Sequence, residues 1–285
     1  MIGGATRGHE LRPFTVDSPL PGMRGGAARL REVLGSRELL AFLAWRDLTV
    51  RYKQSAIGVL WAVLQPLLLA GAFTVFFGKL AGLGAAGGSY ALATFAALLP
   101  WQLVAFTVFA ASHSVVSSQD LVTRVYFPRI LIPLAPFAVA LVDFCAAFAV
   151  ALVWVAIASP SFTLAIAWAP LFLLLALTTA VGVGCWLAAL NVRFRDVQVA
   201  VPVLVQLWLF CTPVAYPSSI VPEGWRLAYA ANPMVTAVDG FRAALLGAPD
   251  LQPGAILLSV AVALALAITG VGFFWRTEDT FADIV

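Results

Sequence analysis

Residues 45–66 read WRDLTVRYKQSAIGVLWAVLQP, a charged stretch that leads directly into an apolar one. The first part mixes Arg, Asp and Lys with apolar and aromatic residues, whereas the part from Gly58 onward contains no charged residue. A helix of the first kind can lie at a membrane surface, and a helix of the second kind can enter the bilayer. The stretch therefore predicts an amphipathic helix over 37–54 on the cytoplasmic face of a membrane protein.

This predicted helix has two different sides. Trp45, Leu48 and Tyr52 share one side, and Arg46 and Lys53 lie roughly opposite. One side could rest on lipid headgroups while another meets a cytoplasmic partner that uses the helix as a lever. The alternative is a simple anchor for the span that follows, with basic side chains reaching for the headgroups.

The composition is that of an all-α polytopic membrane protein. Of 285 residues, 62% are hydrophobic and 11% are charged, against about 45–50% and 25% in soluble domains. A membrane span needs about 20 mostly apolar residues. Six segments qualify within one transmembrane domain over 36–285. They are 58–79, 91–115, 131–158, 164–190, 197–216 and 254–275.

The placement of basic residues predicts the orientation. Of 17 Lys and Arg residues, 14 lie before the first span, in the loops after spans 2 and 4, or after span 6, and only Lys79, Arg226 and Arg242 lie on the other side. Because basic residues accumulate on the cytoplasmic side, both termini are expected in the cytoplasm. Residues 1–35, rich in Gly, Pro and Arg, resemble no signal peptide and are expected to form a flexible extension.

The segment 217–253, on the outer side, is unusual for a loop. It contains five prolines and many apolar residues. Apolar pieces of this length more often lie in the interface or re-enter the bilayer than span it. We predict two short helices, at about 219–230 and 234–247, folded back into the outer leaflet. An ordinary extracellular loop is the alternative.

The chain lacks the motifs of an enzyme or of a motor. Neither of its two lysines completes a phosphate-binding loop, and its two histidines and three cysteines have no metal-ligand spacing. Asp143 is the one acid well inside a span, where it is either functional or a structural hydrogen-bond anchor. An intramembrane lipid-modifying enzyme would need paired carboxylates or a His cluster. We therefore expect no catalytic residue, no metal and no enzymatic activity.

Aromatic and amide side chains recur on three spans. Flat rings with a few amides suit the carbon faces and hydroxyl groups of a sugar chain. Span 2 places Gln102, Phe106, Phe109, His113 and Ser117 on one helical face, which faces either a pore or a dimer partner. The alternative for a single ring is helix packing or an interfacial aromatic belt. The candidate channel residues are Gln65, Phe73, Phe76 and Phe77 of span 1, Trp101, Gln102, Phe106, Phe109 and His113 of span 2, and Gln206, Trp208, Phe210 and Tyr216 of span 5.

The loop over 117–127 is short, of mixed polarity and predicted to be cytoplasmic. Asp120 lies near the start of a short predicted helix, where a carboxylate suits the helix dipole. Such an element fits a socket in another protein.

The strings WRDLTVRYKQSAIGVLWAVLQPL, LVTRVYFPRILIPL, ALNVRFRDV, QLWLFCTPVAYP, ANPM, GFRAALLG and TEDTFADIV occur in this order over about 37–285. Together they resemble the membrane subunit of type-2 ATP-binding-cassette exporters, the polysaccharide and teichoic-acid export permeases. The resemblance implies a homodimer bound to two ATPase subunits that hold the ATP and Mg, with no cofactor in this chain. It implies channel walls from spans 1, 2 and 5 and re-entrant outer helices over 217–250.

The resemblance also implies the contacts with the ATPase and the cargo. Helix 37–54 and loop 117–127 would touch the ATPases, and the cargo would be a lipid-linked polysaccharide of the O-antigen, capsule, teichoic-acid or galactan type. The alternative cargo is another amphipathic lipid or a drug. Membrane lipids are expected partners and nucleic acid is not. The implied coupling residues are Arg46, Asp47, Arg51, Lys53, Gln119, Asp120, Leu121, Val122, Thr123 and Arg124.

Overall fold

The computed structural model describes residues 26–53, 57–86, 90–124, 127–158, 164–247 and 252–281, and these ranges contain helices and no strand. The all-α prediction is confirmed. The α-helices are α1 (Gly26–Gly35), α2 (Arg37–Tyr52), α3 (Leu60–Phe73), α4 (Tyr90–Ser117), α5 (Gln119–Arg124), α6 (Leu131–Ala158), α7 (Ala169–Arg193), α8 (Val197–Phe210), α9 (Glu223–Tyr229), α10 (Pro233–Leu246) and α11 (Pro253–Thr277). A π-helical segment, Thr74–Leu80, continues α3, and 3₁₀ turns at Leu164–Trp168 and Glu278–Thr280 flank α7 and α11.

Five of the six predicted spans are long apolar helices. In the described chain, the helices long and apolar enough to cross a membrane are Leu60–Leu80, Tyr90–Ser117, Leu131–Ala158, Ala165–Arg193 and Pro253–Thr280. The span predicted over 197–216 is helical only to Phe210, as the 14 residues of α8. This corresponds to about 21 Å, against about 30 Å of hydrocarbon. Pro213 accounts for the early end, because its ring would clash with the carbonyl four residues before it.

Helix α4 lies at the centre of the bundle. In its most apolar window 72% of the residues are buried, against 17% in the windows of α3 and α11. It packs against α6, α7 and α10, and α7 in turn packs against α11. Fully buried side chains of α4, including Phe95, Leu98, Val104 and Val108, form the middle of the main hydrophobic core. The other helices are therefore arranged around α4.

A second hydrophobic cluster closes one end of the bundle. It joins Leu43 of α2, Val115 at the end of α4, Leu131 at the start of α6 and Phe274 at the end of α11, together with Phe281 beyond it. The first and last described segments therefore lie at the same end, the α2 end.

Helix α1 begins inside the extension predicted over 1–35. Residues 1–25 lie outside the described residues, but Gly26–Gly35 is helical. Arg29 pairs with Glu278 at 3.0 Å and donates to the Trp275 carbonyl oxygen at 2.9 Å, which ties α1 to the end of α11. Residues 26–35 of the predicted extension are therefore helical and connected to the end of α11 through Arg29.

Two short helices precede the last span, as predicted, although their boundaries differ from the predicted ones. Helix α9 is shorter than predicted, and α10 matches closely. Asn232 caps α10 by accepting a hydrogen bond from the Met234 amide at 3.1 Å, and Pro233 occupies the first turn. Gly247 ends it with a φ of 74°, in the left-handed region that favours glycine. Helix α10 is buried among α4, α7 and α11.

Two glycines allow α7 and α11 to approach closely. A Cβ atom added to Gly270 would lie 2.2 Å from the carbonyl oxygen of Gly182, and one added to Gly182 would lie 2.4 Å from the backbone of Leu266. Small residues at such crossings replace side-chain packing by direct backbone contact. The contact therefore has no room for even a methyl group.

We expect Gly270→Ala to destabilise the protein by about 1–3 kcal/mol, because the new methyl group would force two helix backbones apart. Gly272→Ala is the matched control on the same helix, since nothing lies within 4 Å of its added Cβ. The midpoint of thermal unfolding in detergent should fall for the first variant and stay equal or rise for the second. Equal midpoints for Gly270→Ala and wild type would contradict the close contact.

Candidate functional site

One face of the central helix α4 remains uncovered. Gln102, Phe106 and His113 are half-buried and Phe109 is 42% exposed, whereas most of the other α4 residues are buried. These four side chains belong to the stripe predicted for span 2, and its fifth member, Ser117, is exposed at the end of the helix. Trp101 does not share this face, because it is 4% exposed and its ring packs edge-on against Trp208 at 5.7 Å.

A cavity of about 260 Å³, here the central cavity, opens in front of this stripe. Its walls come from five helices that are far apart in the sequence. Two amides, several aromatic rings, two prolines and one acid–base pair face it. The residues named here are Arg51 of α2, Gln65 and Pro66 of α3, Gln102, Phe106 and Phe109 of α4, Asp143 and Phe144 of α6, and Pro202 and Val205 of α8.

The acid of the central cavity, Asp143, has partners that the sequence analysis did not foresee. One carboxylate oxygen is 2.7 Å from Nη2 of Arg51, and the other accepts a hydrogen bond from the Tyr52 hydroxyl. Both partners stand at the end of α2, and Tyr52 is 91 residues before Asp143. No local spacing connects residues so far apart, so only the fold reveals the pair.

Arg51 makes a second contact, which fixes its position. Its guanidinium carbon lies 4.1 Å from the centroid of the Phe106 ring, a cation–π distance. The side chains of Arg51 and Asp143 are 32% and 16% exposed. The planar guanidinium is thus held between a carboxylate and an aromatic face, an arrangement for which lysine is a poor substitute. Helices α2, α4 and α6 meet at this one group.

Tyr52 remains a hydrogen-bond donor at physiological pH. Burial, and then the hydrogen bond to Asp143, raise the pKa of Tyr52 to about 12. The phenol is therefore neutral and keeps the proton that it donates to the carboxylate. Asp143 receives one ionic and one neutral hydrogen bond, as a carboxylate in apolar surroundings requires.

A second cavity of about 390 Å³, here the α2 cavity, lies toward the α2 end. Arg51 and Phe106 line both cavities and form the partition between them. Arg46 and Asp47 also line the α2 cavity and pair with each other at 2.9 Å. Its other walls are Val50, Ala110, Ser114, Ser117, Ser118, Ile132, Pro136 and Val139.

The predicted coupling residues lie at the α2 end. Arg46 and Lys53 are exposed on or just after α2, and Gln119 and Asp120 are exposed on α5. Leu121 is half-buried against the second cluster. The side chains of Val122, Thr123 and Arg124 lie outside the described residues, although their backbone is helical. The short helix predicted from Asp120 is therefore present as α5.

The remaining candidate channel residues are not brought to the central cavity. Phe73 and Phe77 contact each other edge-on at 5.6 Å, and Phe76 is exposed. Phe76 and Phe77 belong to the π-helical segment, in which the Ala81 amide donates to the Phe76 carbonyl five residues back at 3.0 Å. No sequence pattern indicated this wider turn. Such turns are rare and often occur at functional sites.

The candidate residues of span 5 lie at the opposite end from α2. Gln206 and Phe210 are exposed on α8. The Trp208 indole donates to the Asn232 side chain at 3.0 Å, and the Tyr216 hydroxyl donates to the Phe210 carbonyl at 2.7 Å. The first bond joins the end of α8 to the cap of α10, and the second holds the turn that follows α8. In the described part of the chain, no group of three His, Cys, Asp or Glu side chains is placed to hold a metal ion.

Comparison with known proteins identifies the family. Residues 38–246 match the family described as ABC-2 type transporter. The chain is 31% identical over 260 residues to the O-antigen export system permease protein RfbA of Myxococcus xanthus, covering 90% of this chain and 98% of that protein. Two proteins of the same name from Klebsiella pneumoniae are 28% and 27% identical over 251 residues, each covering 87% of this chain and 95% of the relative. The chain therefore belongs to the membrane family of ABC-2 type transporters.

Proposed function

We propose that this chain is the channel-forming permease subunit of an exporter that moves a lipid-linked polysaccharide across the bacterial cytoplasmic membrane. A separate ATPase subunit would bind ATP and Mg and supply the energy. The observation that carries the proposal is the uncovered amide and aromatic stripe on α4, the most buried of the five long helices. A polar and aromatic face in the middle of a membrane bundle has no reason to face lipid, but it suits a glycan. The names of the relatives support the cargo class.

The channel is proposed to close between two copies of the chain. Helices α3 and α8 flank the central cavity and leave large apolar side chains exposed, among them Leu68, Phe76, Leu207 and Phe210. A second copy that covers these faces would enclose the α4 stripe from both sides. Phe73, Phe76, Phe77 and Gln206 would then extend the wall of the channel beyond the central cavity. Trp101 is left out of this wall because it is buried within the subunit.

The α2 end is proposed to face the cytoplasm, where most of the basic residues would lie. The ATPase would contact the exposed residues of α2 and α5. Movement of α2 would pass to α6 through Arg51, Tyr52 and Asp143, and to α4 through the contact of Arg51 with Phe106. Helices α9 and α10 would lie at outer-leaflet depth, where they cover the far end of the bundle.

Reconstitution tests the function directly. In vesicles with the ATPase facing outward, a labelled lipid-linked glycan should move to the inner leaflet and become protected from added glycosidase. Protection should require the chain, its cognate ATPase and ATP together. Protection with the chain alone would contradict the proposal. If a labelled phospholipid or a hydrophobic dye moves while the glycan does not, the alternative cargo class is correct.

The link between α2 and α6 can be tested with Asp143→Asn. This variant leaves the Arg51 guanidinium without its carboxylate, so the ionic contact between α2 and α6 should be lost. We expect export per ATP hydrolysed to fall at least about tenfold, equivalent to about 1.4 kcal/mol of lost coupling. ATPase binding should persist. The double variant Arg51→Gln with Asp143→Asn should recover part of the loss, because no unpaired charge remains.

Glu223→Gln is the matched control for Asp143→Asn. This acid belongs to α9, its side chain is 87% exposed, and it lies 3.8 Å from Arg226. Exposed pairs of this kind contribute little, so export should be unchanged. Wild-type export per ATP in Asp143→Asn, at equal amounts of protein in the membrane, would remove the pair from the coupling path.

A further inference from the structure

We infer that the central cavity is a subsite for one uncharged sugar residue, and that this permease therefore selects neutral glycan segments over polyanionic ones such as polyol phosphates. The inference rests on the proposed function and narrows its cargo. The observation that supports it is the pairing of acidic with basic side chains on the walls of the two cavities.

Among the residues that the structure describes, every charged side chain that lines the two cavities has a partner of opposite sign within this chain. The acids are Asp47 and Asp143, and the bases are Arg46 and Arg51. They form one pair at 2.9 Å and another at 2.7 Å, so the walls carry no net charge. All the other residues that line these cavities are amides, hydroxyls, aromatics or aliphatics.

An anionic group that enters the central cavity would find no unpaired cation among the described residues of its wall. A desolvated phosphate or carboxylate needs charge-assisted hydrogen bonds, and arginine normally provides them as a two-pronged fork. Arg51 already bonds Asp143 through Nη2 and lies with its flat side against Phe106. A phosphate at this guanidinium would compete with Asp143 for it and would lie beside the negative charge of that carboxylate. The cavity therefore penalises anions.

The same walls suit an uncharged sugar ring. The amides of Gln65 and Gln102, from α3 and α4, each offer donors and acceptors for hydroxyl groups. Asp143 retains free lone pairs after its two bonds, since an ionised carboxylate accepts about four. Phe106 and Phe109 supply apolar faces for the carbon side of the ring.

The size of the cavity agrees with a single ring. Its volume of about 260 Å³ is just below the roughly 300–1,000 Å³ of pockets that enclose drug-sized ligands. One sugar residue of a longer chain fits that space better than a lipid tail or a whole oligosaccharide. Because the cavity opens onto the accessible face of α4, the neighbouring residues of the chain can lie along the stripe.

Depletion of the chain in its host tests the cargo. A block in export should make a lipid-linked glycan accumulate inside the cell, and mild acid should release it from its lipid carrier. We expect the released polymer to pass unretained through an anion-exchange column. A polymer retained through phosphate or uronate groups would overturn the inference while leaving the proposed function intact. If no glycan accumulates, the proposed function fails, and the inference fails with it.

Binding measurements test the subsite itself. The purified permease–ATPase complex should bind the released glycan at least about tenfold more tightly than a chemically phosphorylated form of the same glycan. Gln102→Ala and Phe106→Ala should each weaken binding of the unmodified glycan, whereas Leu257→Ala, on the exposed side of α11, should not. Equal affinities of the wild-type complex for the two forms would overturn the inference.

A single substitution can change the net charge of the cavity walls. Asp143→Asn leaves the walls with a net positive charge and a free guanidinium on Arg51. Relative to wild type, this variant should bind the phosphorylated glycan more tightly and the unmodified glycan less tightly. An unchanged ratio of the two affinities would show that the pair does not set the charge preference.

Discussion

A carboxylate inside an apolar helix bundle needs partners that compensate its negative charge. Much of this structure depends on where those partners come from. Asp143 belongs to α6, a helix that is otherwise almost wholly apolar. Its partners come from the last two residues of α2, which brings an interfacial helix into contact with the bundle. The start of α3 follows within a few residues of that contact. The contacts of Asp143 therefore anchor α2 and also the point at which the chain enters the first long span.

The packing around α4 completes the site. On the far side of the bundle, α7 and α11 approach at two glycines, and α10 fills the space beside them, where Gly240 lies against the Phe172 ring. Helices α6, α7 and α10 pack against α4 and bury most of its surface. The remaining side is covered only by smaller contacts from α3 and α8 and by Arg51. The central cavity is the space left over by close packing elsewhere.

Much of the fold could be predicted because the constraints that a bilayer imposes act on short segments of the chain. Span length, basic loops and the four-residue spacing of the α4 stripe are all properties of short segments. The relation between Arg51 and Asp143 is not local, so the acid looked solitary in the sequence. The early end of α8 had a visible cause in Pro213, but the apolar composition beyond it outweighed that signal. Trp101 could be mistaken for a wall residue because adjacent helical positions are only about 100° apart.

The π-helical segment Thr74–Leu80 has a consequence for how the aromatic residues of α3 can move. It holds one more residue than an α-helix of the same number of turns, and its hydrogen bonds reach one residue further back. If the π-helical turn moved by one position along the helix, a new set of backbone hydrogen bonds would replace the old one, and the helix would not be interrupted. Each such step would turn Phe76 and Phe77 around the axis by about a quarter of a revolution. Such a shift would present the same rings to different surroundings while the helix remains continuous.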